Sequence, residues 1–184
     1  MPKKEEDMPE RLESAALALF AERGYDATTS AQIAERAGVT QRTFFRYFTD
    51  KQEVLFGREA RVRDMLTASI AVVPADMPPL ATLFHAFRAM ADGFEAVRSY
   101  AKPRHDIIRA NRALQERDTA KAAALATALA DTLRRRGAGE PAATLAARCG
   151  VAALTHTMHE WLDDPSVAFT ARLDEAEQTM AAML

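Results

Sequence analysis

The sequence is poor in the residues that build small cross-linked or β-rich proteins. Its 184 residues include one cysteine, so an internal disulfide is excluded and nothing favours an oxidising compartment. Glycine occurs only seven times, and no apolar run approaches the roughly 18 residues that span a bilayer. Residues 1–10 lack the apolar centre of a signal peptide. We therefore expect a soluble, cytoplasmic protein without a membrane segment.

Alanine and arginine dominate what is present. The chain has 39 alanines, and arginine outnumbers lysine 19 to 5, although the formal net charge is only −2. Alanine is the strongest helix former, so the composition favours an all-α fold. The small net charge does not exclude a nucleic-acid partner, because the local charge of the contact surface decides such binding.

Apolar residues recur at helical spacing along most of the chain and predict nine helices and no strand. Residues 1–9, which are charged and carry two prolines, are expected to form a flexible arm. Pro103 is expected to interrupt the helical pattern, so that a separate short helix follows it. The predicted helices are approximately 10–23, 30–37, 41–47, 51–70, 80–97, 104–111, 114–136, 141–162 and 165–183.

Residues 28–55 give the sharpest local signal. Thr29, with Gln32 three residues later, predicts a capping box at the start of the second helix. Gly38 predicts a tight turn before the third helix, and three short helices joined in this way form a helix-turn-helix pattern. The residues expected to face inward and to set the angle between the helices are Ile33, Val39, Phe44 and Phe48.

The outer face of the third helix is predicted to read DNA. The segment from Gly38 to Lys51 is locally basic, with Asp50 as its one acidic residue. Such a helix enters the major groove, about 12 Å wide, where glutamine pairs with adenine, arginine with guanine, and apolar groups contact the thymine methyl. Helix starts and basic side chains nearby would hold phosphates. The predicted DNA-contacting residues are Thr29, Thr40, Gln41, Arg42, Thr43, Phe45, Arg46, Tyr47 and Lys51.

From Leu12 to Leu55 the chain resembles the N-terminal domain of the TetR family of bacterial transcriptional regulators. The matching stretches read ALFAERGYDATT, IAERAGVT and TFFRYFTDKQEVL. Phe45 departs from the usual tyrosine, and Arg42 stands where many members have a smaller residue. The resemblance implies a nine-helix protein with a DNA-binding domain at residues 10–50 and a ligand-binding and dimerisation domain at 51–184. It also implies a regulator, most often a repressor, that a small lipophilic molecule releases from a palindromic operator.

The resemblance places an effector pocket among the central helices, although ordinary core packing would account for the same apolar residues. The predicted pocket residues are Phe84, Phe87, Met90, Phe94, Tyr100, Arg104, His105, His156, Met158 and Trp161. The basic segment Arg98–Arg117 would attract an anionic ligand such as an acyl-CoA or fatty acid, or else form a solvated face. The helix from Lys51 to Ile70 joins the two domains and is expected to transmit conformational change between them. Gly57 would either make this helix more flexible or serve only as a packing glycine.

The last two helices are the predicted dimer surface, with an intramolecular core as the alternative. One recognition helix makes few contacts, whereas a two-fold dimer sets two of them about 34–36 Å apart, one DNA turn. Alanine-rich stripes permit close helix approach between subunits. The predicted interface residues are Leu145, Cys149, Ala152, Ala153, Phe169, Leu173 and Met180.

Other chemistry has weaker support. His156 and His159 are close enough on a helix to share a metal, but a third ligand is not evident. Cys149 has no nearby basic activator in the sequence and is interpreted as a small buried hydrophobe. We predict no catalytic residue, cofactor or metal. Two other classes stay open: an activator or architectural DNA-binding protein without a ligand, and a small-molecule enzyme or carrier.

Overall fold

The structure is a computed structural model that describes residues 8–183. Over these residues the chain is helical and contains no strand, which confirms the all-α prediction. No helix in the described part of the chain is both long enough and apolar enough to cross a membrane. The helices are α1 (Met8–Arg23), α2 (Ser30–Arg36), α3 (Gln41–Tyr47), α4 (Glu53–Phe56), α5 (Glu59–Ala71), α6 (Pro79–Ala89), α7 (Ala91–Ala96), α8 (Arg98–Ala110), α9 (Arg112–Arg135), α10 (Glu140–Asp163) and α11 (Phe169–Ala182).

Most of the predicted helices are present, and two of them are divided. The helix expected over 51–70 separates into α4 and α5 around Gly57, and the one expected over 80–97 separates into α6 and α7 at Met90. A Cβ on Gly57 would lie only 3.1 Å from Cε1 of Phe48. Glycine at this break therefore lets the Phe48 ring lie against the backbone.

The first and the last helix begin at other residues than predicted. Residues 1–7 of the arm lie outside the described residues, and α1 already begins at Met8. Pro9 occupies its first turn, where a missing N–H breaks no helical hydrogen bond. The last helix begins at Phe169 because Asp164 starts a turn instead, its carboxylate accepting from the Ser166 N–H at 3.0 Å.

Pro103 does not interrupt the helix, so the prediction of a separate helix over 104–111 is wrong. The proline lies inside α8, which runs without a break from Arg98 to Ala110. An internal proline removes one helical hydrogen bond and disfavours the helix locally. The helix nevertheless continues through Pro103, and the neighbouring Arg104 Nε makes a tertiary contact by donating to the Leu55 carbonyl.

The chain divides into two compact units. The first comprises the described residues up to Glu59 together with Pro103–Gln115. In this unit α1 packs against α2 and α4, and α2 packs against α3. The first unit therefore contains the predicted DNA-binding helices and also a segment from much later in the sequence.

The second unit comprises Ala60–Lys102 and the described residues from Glu116 onward. Its α10 packs against both α6 and α11. Trp161 and Phe169 are fully buried, with ring centroids 5.7 Å apart in an edge-to-face arrangement. A Cβ on Gly150 would lie 2.6 Å from Cδ1 of Leu83, so this glycine is what allows α10 to approach α6.

Candidate DNA-binding site

The turn between α2 and α3 is held by main-chain hydrogen bonds. Gly38 has a φ of +68°, a left-handed conformation that glycine adopts without steric strain. Its N–H donates to the Glu35 carbonyl at 2.9 Å. From α1, Nη2 of Arg11 donates to the Ala37 carbonyl at 2.7 Å. The first helix therefore fixes the turn that sets the direction of α3.

Two threonines define the start of α3. Thr40 is the N-cap, and its Oγ1 accepts from the Thr43 N–H at 3.2 Å. The two hydroxyl oxygens also lie 3.0 Å apart. Ncap hydroxyls stabilise a helix start by satisfying one of its orphan N–H groups. Their predicted contacts with DNA would thus come in addition to a role in building the helix.

Helix α3 presents one face inward and the opposite face to solvent. Phe44 is fully buried, and Phe48, directly after the helix, is also buried. Phe45 is half exposed, with its ring edge-on to Phe44 at 5.3 Å between centroids. The other exposed side chains of α3 are Gln41, Arg42 and Arg46. This exposure is what reading base edges requires, and the DNA contacts themselves stay predictions.

Arg46 and Tyr47 form a pair at the end of α3. Nη2 of Arg46 donates to the Tyr47 hydroxyl at 2.8 Å, and its guanidinium carbon lies 4.9 Å from the ring centroid. The pairing restrains both side chains at the surface and places a cation beside a phenol. Together they provide two donors, one charged and one neutral, for the phosphate contacts predicted at this end of the helix.

Lys51 supports the loop between α1 and α2. Its Nζ donates to the carbonyls of Tyr25 at 2.8 Å, Thr28 at 3.0 Å and Asp26 at 3.3 Å. An ammonium group has three hydrogens, and all three have a main-chain acceptor in this arrangement. The placement favours a positioning role over the predicted phosphate contact.

The loop that Lys51 supports leads directly into α2. Thr28 is buried, and its Oγ1 donates to the Gly24 carbonyl at 2.8 Å. Thr29 then forms the predicted capping box: its Oγ1 accepts from the Gln32 N–H at 3.2 Å, and the Gln32 side chain accepts from the Thr29 N–H at 2.9 Å. The capping box is confirmed, and it leaves Thr29 exposed at the start of α2.

Segment 103–115 joins the rest of the first unit through polar contacts of two residues, Arg104 and Asn111, that were not predicted from the sequence. Arg104 donates to the Leu55 carbonyl and, at 3.2 Å, to the Glu59 carboxylate. Asn111 Nδ2 donates to an Asp26 carboxylate oxygen at 3.3 Å. No local pattern signals these contacts, because the partners are 45 to 85 residues apart in sequence.

Two of the predicted pocket residues, Arg104 and His105, lie in the first unit. Arg104 contacts α4 within the first unit, where its guanidinium carbon also lies 5.1 Å from the Phe56 ring centroid. His105 is buried in that same unit. Neither belongs to the unit that contains the other predicted pocket residues, and their role as polar anchors of an effector pocket stays a prediction.

The other predicted pocket residues lie in the second unit, and most are core. Phe84, Phe87, Met90, Phe94 and Trp161 belong to one buried apolar cluster. Met158 packs partly buried against that cluster, Tyr100 is also partly buried, and His156 is exposed. The structure brings the aromatic residues together as the prediction requires. An effector pocket among them stays a prediction.

The predicted dimer residues fall into two groups. Leu145 is 62% exposed, and Cys149 and Ala152 are exposed as well, so Cys149 is not the buried hydrophobe expected. Phe169 and Leu173 are fully buried within the single chain. These two belong to the intramolecular core and are removed from the predicted surface, because a buried side chain presents nothing to a second subunit. Ala153 is also buried, and Met180 is partly so.

The basic segment Arg98–Arg117 is already engaged by protein groups at several positions. Arg98 donates to the Trp161 carbonyl and lies 4.6 Å from its ring centroid. Lys102 pairs with Asp163 at 3.4 Å. Since these cations, like Arg104, have protein partners, the arrangement does not favour an anion-binding role for them.

Two family models match the chain. The model described as "Bacterial regulatory proteins, tetR family" matches residues 13–56, and the model described as "MftR C-terminal domain" matches residues 77–184. The first match contains the whole helix-turn-helix, and the second extends over more than half of the chain. Together they cover both the predicted DNA-binding region and most of the predicted ligand-binding and dimerisation region.

Among characterised relatives, the HTH-type transcriptional regulator TcmR of Streptomyces glaucescens is 43% identical over 75 residues. That match covers 41% of this chain and only 33% of TcmR, so the chain spans about a third of this relative's length. A TetR-family regulator from Syntrophomonas wolfei has a TM-score of 0.70 at 15% identity, covering 98% of this chain and 96% of its own. FadR of Thermus thermophilus, a TetR-family repressor solved with lauroyl-CoA, gives 0.53 at 24% identity, covering 92% and 91%.

Proposed function

This chain belongs to the TetR family of bacterial transcriptional regulators, and we propose that it is a homodimeric repressor of a palindromic operator, controlled by a small lipophilic ligand. The observation that supports this most directly is the outward face of α3. Its solvent-facing side chains project from a helix that the buried Phe44 and Phe48 hold in place. The family consists of DNA-binding regulators rather than enzymes, and DNA binding assigns the protein to the cytoplasm.

Base reading falls to the exposed residues near the start and middle of α3. Gln41 would pair with adenine, Arg42 with guanine, and Phe45 would lie against a thymine methyl. Phosphate contacts come from Arg46, Tyr47 and the exposed start of α2 at Thr29. Lys51 acts indirectly in this proposal by holding the loop that places α2.

Dimerisation is assigned to the exposed part of α10. Leu145 and Ala152 are seven residues apart, two helical turns, and therefore lie on one stripe of α10. Both are solvent-exposed in the single chain, as a surface awaiting a second copy must be. A two-fold pair of chains would set two copies of α3 about 34–36 Å apart along DNA.

Ligand control is proposed to act as a shift between two dimer shapes, of which only one fits successive major grooves. The aromatic cluster around Phe84 and Phe87 is the apolar region for such a ligand. The lauroyl-CoA bound by the Thermus thermophilus repressor supports a lipophilic molecule as the class. We propose that α5 transmits this change. Helix α8 contributes residues to both units, so we assign it the same role, with Arg104 joining it to α4.

The test is a binding titration of purified protein on the DNA flanking its own gene and on a random duplex, across a salt series. We expect selective binding by a dimer, with the affinity falling steeply as salt rises. Salt-sensitive binding without selectivity would overturn the repressor proposal in favour of an architectural role. If neither duplex binds, extraction of the purified protein decides: a co-purified ligand supports the releasing shape, and its absence overturns the proposal.

A further inference from the structure

The break between α4 and α5 is shallow. Gly57, which ends α4, has a φ of −62° and a ψ of −24°, values in the right-handed helical region. The apolar period also continues across the break, because Leu55, Val62 and Leu66 follow one another at intervals of seven and four residues. The backbone and the sequence pattern therefore both favour one continuous helix at a point where the structure has two.

Arg104 makes contacts that favour the break. Leu55 lies one residue before the end of α4, and the last carbonyls of a helix have no intrahelical donor. Nε of Arg104 donates to this carbonyl, and its Nη2 pairs at 3.2 Å with the carboxylate of Glu59, the first residue of α5. In one continuous helix the Leu55 carbonyl would accept from the Glu59 N–H, four residues later. Arg104 thus competes with the main-chain bond that would close the break.

A second arginine holds the break from the side of α1. Arg58 lies within the break, and its Nε donates to the carboxylate of Glu13 at 2.7 Å. Glu13 is buried, and a buried carboxylate requires such a partner because an unpaired charge away from water is costly. Nη2 of Arg58 also lies 3.6 Å from the carboxylate of Glu10. Tertiary contacts from α1 and α8 therefore hold the chain broken against its local preference.

Phe48 connects the break to α3. This residue directly follows α3, is buried, and has its ring centroid 5.7 Å from that of Phe44. On its other side the ring lies so close to the backbone of Gly57 that a Cβ there would be 3.1 Å from Cε1. A change in the backbone at the break therefore reaches the residue that holds the DNA-reading helix in place.

We infer that the break between α4 and α5 is a two-state hinge and that Arg104 is the positioning residue that keeps it broken. When Arg104 leaves Leu55 and Glu59, α4 and α5 join into one helix. Operator binding belongs to the broken form, in which Phe48 lies against Gly57. The inference rests on the proposed function only for this role, by naming the element whose equilibrium a ligand would shift.

Hydrogen exchange of the free, full-length protein tests the hinge. In the broken form the N–H groups of residues 58–61 stand at a helix start and lack intrahelical acceptors, whereas a continuous helix supplies them. We expect Arg104→Met to slow exchange over these residues about 10-fold, the effect of a lost charged hydrogen bond on the equilibrium between the two forms. A merely structural arginine would give the opposite sign, because a loss of stability speeds exchange. Unchanged or faster exchange would overturn the inference.

Ala60→Pro fixes the hinge in its broken form. Residue 60 is exposed and second in α5, as Pro141 is second in α10 after Glu140, so the broken form has room for the ring. In a continuous helix the ring would clash with the carbonyl of Phe56. We expect the single variant to keep its melting temperature and, combined with Arg104→Met, to restore fast exchange. A proline that destabilises the protein by itself, or that leaves exchange slow, would overturn the inference.

Arg63→Met is the matched control. It removes the same charge from the exposed side of α5, where Arg63 pairs with the adjacent Asp64, and leaves exchange over residues 58–61 unchanged. A slowing as large as that of Arg104→Met would overturn the inference, since loss of charge alone would then explain it.

Operator titration of the same variants separates the hinge from the proposed function. We expect Arg104→Met to weaken operator binding about 10-fold and Ala60→Pro to restore it in the double variant. Expected exchange without any operator binding would retain the hinge and overturn the repressor proposal. Operator binding with unchanged exchange in Arg104→Met would retain the repressor and overturn the hinge. Restored exchange without restored affinity would overturn the assignment of operator binding to the broken form.

Discussion

Lys51 contacts Tyr25 twice: its Nζ donates to the Tyr25 carbonyl at 2.8 Å and lies 4.2 Å from the centroid of the Tyr25 ring. The two residues are 26 positions apart in sequence. With the further bonds to Thr28 and Asp26, one cation ties the segment after α3 to the loop that precedes α2.

Lys51→Met tests this arrangement. We expect the first unit to lose roughly 1.5 kcal/mol of stability, because main-chain carbonyls lose a charged donor, as measured by urea unfolding followed by circular dichroism. Affinity for DNA falls with it, but the slope of log affinity against log salt is unchanged. A slope smaller by about one would instead show a direct phosphate contact. Lys121→Met, in the second unit, removes the same charge and serves as the control.

Arg42→Ala tests base reading from α3. Arg42 is exposed near the start of the helix, and a bidentate contact with guanine contributes about 1–3 kcal/mol of discrimination. We expect the affinity for the operator to fall by that amount while binding to random duplex changes little, both measured by fluorescence anisotropy. Equal losses on the two duplexes would mean that Arg42 holds only the DNA backbone.

Gly150→Ala tests the close approach of α10 to α6. The new methyl would lie 2.6 Å from Cδ1 of Leu83, so the buried Leu83 side chain or the helices themselves must shift. Overpacking of this kind costs about 1–3 kcal/mol, and we expect a lower melting temperature of the second unit, followed by Trp161 fluorescence. Gly93→Ala is the matched control, because no atom lies within 4 Å of its new methyl.

A double-mutant cycle tests whether the new methyl at position 150 contacts Leu83. Leu83→Ala alone leaves a cavity, whereas in the Gly150→Ala background it also makes room for the new methyl. The combined loss of stability should therefore be smaller than the sum of the two single losses. Additive losses would show that Leu83 and the methyl do not meet.

Asp164 gives a prediction for pH. The Ser166 hydroxyl, at 2.7 Å, and the Ser166 N–H donate to its carboxylate, and Arg172 lies nearby, so the pKa of Asp164 is lowered from its usual range. A lowered pKa in the folded state means that this contribution to stability is present above the unfolded pKa and is lost as pH falls through the folded one.

Ser166→Ala removes the largest cause of that shift. We expect the pKa of Asp164 to rise toward its ordinary value, as followed by carbon-detected NMR titration of the side-chain carboxyl. Retention of the original titration in this variant would show that the main-chain N–H of residue 166 and Arg172, rather than the Ser166 hydroxyl, lower the pKa of this carboxyl.

The helix-turn-helix was predictable because its signals are local. The capping box of Thr29 and Gln32, the left-handed Gly38 and the burial of Phe44 each depend on residues within a few positions of one another. The exposed face of α3 follows from the same periodicity. Arg136 shows the limit of local reasoning: it follows α9 directly, yet it donates to the Ile70 carbonyl at 2.9 Å, in α5, and to the Pro74 carbonyl at 2.7 Å, just after α5.

The sequence by itself determined the all-α class, the positions of most helices and the surface predicted to read DNA, because helical period, caps and turn glycines act over a few residues. Only the tertiary structure decided that Lys51 and Arg104 support the DNA-binding unit and that Phe169 and Leu173 are core rather than interface. An apolar stripe on a helix has the same sequence pattern whether it packs within its own chain or against a second subunit. The long side chains of lysine and arginine contact residues that are far away in the sequence, so their partners cannot be predicted from local patterns.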